Sequence, residues 1–147
     1  MKNNKTTWIK KNADDDKNWY LIDATGIRLG KLASSVTKIL QGKNKATYVP
    51  NKDLGDYVII VNSKNIDVHP RKLDDKLYIH HSGYPGGLKT KKLKDLLEDD
   101  PNKVIEKAIS GMMPKSKLGK IMMKKLFIYK DETHKHEAQK PKLFKIE

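Results

Sequence analysis

The 147-residue sequence predicts an α/β fold in which helices cover a parallel sheet, and two observations carry that expectation. A β-branched and aromatic stretch, an amphipathic stretch and a second apolar stretch follow one another within about forty residues, the order of a βαβ unit. The second apolar stretch, Asp-Tyr-Val-Ile-Ile-Val-Asn over 56–62, is continuous rather than alternating. A strand buried on both faces needs that pattern. The length suits one domain that buries roughly 70% of its unfolded surface, enough for a core without disulfides or metal.

Each element has its own signal. Trp19-Tyr20-Leu21-Ile22-Asp23-Ala24 reads as a strand entering a turn at Gly26. Leu29, Leu32, Ala33, Val36, Ile39 and Leu40 fall at helical spacing, with Lys31, Ser34, Ser35 and Lys38 opposite and Gly42 placed to end the helix. Beyond the 56–62 strand, Ile66 and Val68 precede a turn at Pro70, and 76–80 reads as a short strand interrupted by a loop on Gly83, Pro85, Gly86 and Gly87. Thr90 is placed to cap a short helix carrying Leu93, Leu96 and Leu97. Asp100-Pro101 opens a longer one with Val104, Ile105, Ala108, Ile109 and Met112, ended by Gly111 and Pro114. Ser116 opens another through Met122, and 126–129 is a last strand. The chain divides into an N-terminal extension (1–18), a single α/β domain (19–130) and an irregular tail (131–147).

Composition narrows the function. There are 31 Lys and Arg against 18 Asp and Glu, a formal charge of +13. That surplus repels itself in the free chain and calls for a polyanionic partner, nucleic acid first and anionic lipid second. The chain has 29 lysines and only two arginines, Arg28 and Arg71. Lysine acts as a point charge where arginine forks onto phosphates and guanine edges, so neutralising a backbone is favoured over reading bases. The absence of cysteine excludes thiol catalysis, iron–sulfur ligation and thiolate zinc sites. No apolar run approaches the ~20 residues of a membrane span. Residues 1–17 lack an apolar signal segment, and Asp14, Asp15 and Asp16 do not suit a transit peptide, so a cytosolic chain is expected.

Catalytic and metal motifs fail in detail. Gly26 to Lys31 lies at a strand-to-helix junction, but a P-loop needs four residues between its glycines and Ser or Thr after the lysine, where this chain has three and Leu32. The dinucleotide fingerprint is absent as well. The turn can still offer Arg28 and Lys31 to an RNA phosphate. His80 and His81 are adjacent and point to opposite faces of a strand. His136-Glu137 begins like a zincin helix, but its fifth residue is Lys140. No Gly-x-Ser-x-Gly elbow is present. Neither metal nor cofactor is expected.

Positive charge is clustered. Six lysines from Lys115 to Lys130 fall in sixteen residues without an acid, Lys89 to Lys94 form a second group, and Lys43, Lys45 and Lys52 a third. Glycine loops such as 81–89 let backbone approach a phosphate while Lys and His donate.

Taken in order, several stretches resemble the bacterial-type large ribosomal subunit protein 13 family. They are 19–24; 29–34; Gly42-Lys43-Asn44-Lys45; 53–62; His80-His81-Ser82-Gly83 with Gly86-Gly87; Gly111-Met112-Met113-Pro114-Lys115 with Leu118-Gly119-Lys120; and Ala138-Gln139-Lys140-Pro141. The resemblance implies a three-layer α/β/α domain on a mostly parallel four-stranded sheet, with basic loop and C-terminal extensions. It also implies a non-enzymatic role: binding large-subunit rRNA, joining the subunit early in assembly and touching neighbouring ribosomal proteins. In that setting the chain is a monomer within the ribosome of a bacterial cytoplasm or of an organelle of bacterial descent.

Carried onto this chain, the family's rRNA-contacting segments are His80, His81, Ser82, Gly83, Gly86, Gly87 and Lys89, then Lys115, Lys117, Gly119 and Lys120. The charge clusters add Lys43, Lys45, Lys124 and Lys125, and the Gly26 to Lys31 turn adds Lys31. Some positions depart from the family: His69-Pro70 replaces a Thr-Gly turn, Ser110 a frequent lysine, and Lys31 and Lys120 stand where arginine is common. Two other readings remain open from sequence, a phosphate-handling enzyme built on the Gly26 to Lys31 turn and a regulator binding messenger RNA or DNA outside the ribosome.

Overall fold

A computed structural model describes residues 17–146, so nearly all of the 1–18 extension, with its three aspartates, lies outside the described residues. The βαβ unit is present: β1 (Trp19–Asp23), α1 (Leu29–Gln41) and β2 (Tyr57–Val61). All six apolar residues expected to face inward from α1 are buried. Gly42 ends the helix in the left-handed region at φ 75°, where its N–H donates to Ile39 O at 3.0 Å. The chain continues through α2 (Pro70–Asp75), β3 (Leu77–His81), β4 (Leu88–Lys92), α3 (Leu93–Asp99), α4 (Pro101–Met112), α5 (Lys117–Met123), β5 (Leu126–Ile128) and β6 (Lys142–Leu143).

The four-stranded sheet has the order β5-β2-β1-β6, and all of its pairings are parallel. Register sorts the side chains onto two faces, because paired residues of parallel neighbours point the same way. Ile22, Val58 and Ile60 face the helices and join Leu32, Val36, Leu40, Leu93, Val104, Ile105, Ile109 and Met122 in one core. The opposite face presents Trp19, Tyr57 and Phe127. Trp19 stacks on Tyr57 with centroids 4.3 Å apart, and His136 from the tail covers Phe127 at 4.3 Å. The tail, with a 3-10 turn at Glu137–Gln139, therefore forms the third, thin layer of the α/β/α arrangement.

Three details differ from the sequence expectation. Pro70 starts the short helix α2 rather than a simple turn, with His69 Nδ1 accepting the Arg71 N–H at 3.3 Å. Thr90 lies inside β4 and caps nothing; α3 begins at Leu93. The loop between His81 and Leu88 is thus the tip of an antiparallel hairpin, β3 with β4. β4 reads Leu-Lys-Thr-Lys-Lys and is exposed throughout. A strand with no buried side leaves no alternation to detect. Finally, Lys142–Leu143 of the tail pairs with the edge of β1. Phe144 locks it by an edge-to-face contact with Tyr20 at 5.7 Å.

Candidate nucleic-acid interface

The hairpin tip is built by the glycines, His81 and Ser82 that the sequence singled out. Gly83 and Gly86 adopt φ 90° and 72°, open to glycine at little steric cost. The Gly83 N–H donates to His81 Nδ1 at 2.9 Å, Ser82 N–H to Gly87 O at 3.1 Å and Gly87 N–H to Tyr84 O at 2.9 Å. A Cβ on Gly87 would stand 2.1 Å from Ser82 Oγ. His81, Ser82, Gly83, Gly86 and Gly87 therefore shape the turn. His80 and Lys89 pair across the ladder and share one face, while His81 lies on the other with Leu88. Tyr84 projects from the tip, 76% exposed. Sequence reasoning passed over it, although an aromatic ring among turn formers with nothing to pack against was the available signal.

The second segment places Lys115, Lys117, Lys120 and Lys124 in solvent around α5. Ser116 caps this helix, its Oγ accepting the Gly119 N–H at 3.3 Å. Gly119, expected at an RNA contact, is instead buried. A Cβ there would lie 1.9 Å from Pro114 O, so glycine lets the α4-to-α5 loop lie directly on the helix. Gly119→Ala is expected to cost about 2 kcal/mol through backbone displacement. Urea unfolding checks this, with faster amide exchange at 114–119 as a second sign.

Lys125 and Lys45 are corrected by the structure. Lys125 is buried at 4% exposure, and its ammonium donates to Asp53 Oδ1 at 2.5 Å, Gly55 O at 2.8 Å and Leu40 O at 3.3 Å. Its three protons are taken by acceptors inside the fold, so it cannot serve a phosphate. Burial pushes its pKa down, and the Asp53 carboxylate opposes that shift. Lys45 reaches the buried Asp56 at 2.6 Å, and its side chain is only 18% exposed. It holds the 42–56 loop to the domain, because a buried carboxylate needs a charged or hydrogen-bonded partner. Asp56 also accepts the Asn18 N–H at 2.9 Å. Lys43, two residues away, remains exposed.

The Gly26 to Lys31 turn is occupied by the chain itself. Gly26 N–H donates to Asn65 O and Leu29 N–H to Asp67 O, both at 3.0 Å, while Asp67 N–H returns to Ile27 O at 3.1 Å. Arg28 pairs with Asp67 at 3.5 Å. These amides hold the 65–67 segment and do not form a phosphate cradle. Lys31, however, stands in solvent at the edge of a 640 Å³ cleft, which Lys72, Lys76 and Lys107 also border. Lys76 and Lys107 lie over the Tyr78 ring, 5.2 and 4.8 Å from its centroid. Sequence spacing showed neither of these lysines to be near Lys31, since they come from the junction of α2 with β3 and from α4. Ser110, Lys115, Gly119 and Lys120 meet in a second depression beyond α4.

A family profile described as ribosomal protein L13 matches residues 17–135. The chain belongs to the ribosomal protein L13 family. It is 46% identical over 142 residues to the large ribosomal subunit protein uL13 of Ligilactobacillus salivarius, covering 97% of each chain. It is 50% identical over 135 residues to that of Agathobacter rectalis, covering 92% of this chain and 95% of the relative. With that of Buchnera aphidicola the identity is 49% over 136 residues, covering 92% and 94%. Membership in the L13 family makes the chain a structural ribosomal component rather than an enzyme. The Gly26 to Lys31 turn is accordingly a structural joint.

Proposed function

We propose that this chain is a structural constituent of the large subunit of the cytoplasmic ribosome. It binds large-subunit rRNA through its exposed lysine-rich loops and supports early subunit assembly beside neighbouring ribosomal proteins, as a monomer. The observation that carries this reading is the sorting of lysines by the fold. Lys45 and Lys125 have partners inside the domain, whereas Lys115, Lys117, Lys120 and Lys124 stand in solvent within an acid-free stretch. Relatives named as large ribosomal subunit proteins along nearly their whole length support it.

A rigid core bearing lysines neutralises phosphates that would otherwise repel one another, so rRNA segments can pack together. Each contact releases counterions, and A-form RNA is met by its shape and backbone. Tyr84 adds an exposed ring on which an unpaired base can stack.

Replacing Lys115, Lys117, Lys120 and Lys124 together by glutamine is expected to leave the melting curve unchanged. It should reduce incorporation into large subunits and flatten the slope of log affinity against log salt by about 3. Sucrose gradients of salt-washed particles and RNA titrations measure both. Normal incorporation with the parental salt slope would overturn the assignment. Crosslinking to messenger RNA alongside normal subunits would point instead to a regulator outside the ribosome.

A further inference from the structure

We infer that the outer side of α4 is a groove for single-stranded RNA, with the cleft at Lys31 taking one unstacked nucleotide; this rests on the RNA-binding reading above and gives it a place. Three depressions join along the helix. The 640 Å³ cleft shares Lys107 and Gly111 with the next, of 600 Å³, which shares Glu106, Ser110 and Lys115 with the third, of 370 Å³; Glu106 is the one carboxylate on that stretch and is outnumbered there by Lys103, Lys107 and Lys115. The track therefore runs from Lys31 past Lys107 and Lys115 to Lys120.

Its chemistry is that of a nucleotide chain. The first cleft is bordered by Arg28, Lys31, Lys72, Lys76 and Lys107, while its one carboxylate, Asp67, is paired with Arg28. Val68, Ala108 and Met112 supply apolar walls, and Gly30 and Gly111 leave them open to a flat ring. A volume of 640 Å³ falls within the roughly 300–1,000 Å³ of sites that enclose small ligands. Cations over an apolar hollow suit an anionic backbone carrying flat bases. A paired duplex holds its bases in the stack and cannot place one there, whereas a single strand can. Stacking over the Tyr78 ring holds Lys76 and Lys107 at the border before RNA arrives.

Gly111→Leu tests this without changing any charge. Nothing lies within 4 Å of a Cβ at Gly111, so the added side chain enters the groove and spares the fold. The probe is a labelled twelve-nucleotide single-stranded RNA, titrated onto the full chain beside a duplex of the same sequence. The variant should melt no lower than the parent, bind the single strand at least tenfold more weakly, and bind the duplex as before. Crosslinks from the parent should fall on Lys31 and Lys107. Unchanged single-strand affinity, equal losses for both RNAs, or stronger binding of a polyglutamate peptide of matched charge would each overturn the groove. If Gly111→Leu binds normally while the four-lysine variant loses RNA, the groove fails and the rRNA-binding reading stands. If neither variant affects RNA binding and subunits still assemble, both fail.

Discussion

Lys125→Met is expected to destabilise the domain by about 3–5 kcal/mol, the range for removing one partner of a buried ion pair. Methionine keeps the unbranched apolar stem and lacks only the terminal ammonium, so packing along the stem changes little and the loss is mainly electrostatic. Asp53 would keep Lys17 at 3.6 Å, but Gly55 O and Leu40 O would lose the charged donor that now serves them. These three acceptors come from the loop before β2 and the end of α1, and the lysine itself precedes β5. The substitution therefore loosens the junction of three elements at once. Urea unfolding measures the effect, and a loss below about 1 kcal/mol would contradict it. The salt slope of RNA binding, measured where the variant is folded, should match the parent, because this ammonium does not reach solvent.

Gly55→Ala is expected to cost about 3 kcal/mol or more, at the upper end for overpacking. A Cβ at this position would lie 1.8 Å from Leu40 O, 2.4 Å from Leu40 C and 2.9 Å from Lys125 Nζ. The first two contacts are with backbone, so no rotamer change relieves them. The end of α1 and the start of β2 would have to separate, opening the carbonyl that Lys125 now caps. The substitution thus damages the same junction by steric means. Because the sites share partners, Gly55→Ala combined with Lys125→Met should cost less than the two separate losses added together. Thermal melts of both single variants and the double variant check this. A parental melting temperature for Gly55→Ala would show that the loop relaxes away from the helix freely.

The sequence was most legible where local chemistry and burial agree. In α1, the apolar spacing, the opposite polar face and the αL glycine all point to one helix. The Ser116 cap of α5 and the continuous run of β2 were readable for the same reason. Legibility failed in short or fully exposed elements. β4 has no buried face, α2 is too short to show a period, and β6 is two residues whose pairing depends on a distant edge.

By itself the sequence determined a cationic α/β chain, its βαβ core and, through an ordered series of motifs, its family. Those properties follow from composition and near-neighbour spacing, which act along the chain. Only the tertiary structure decided which lysines remain for a partner. Lys124 and Lys125 are neighbours in an identical local setting, yet one stands in solvent and the other is enclosed by Asp53, Gly55 and Leu40. Whether an ammonium is hydrated or satisfied inside depends on the acceptors that distant segments bring to it, and charge counting along a sequence does not contain that information.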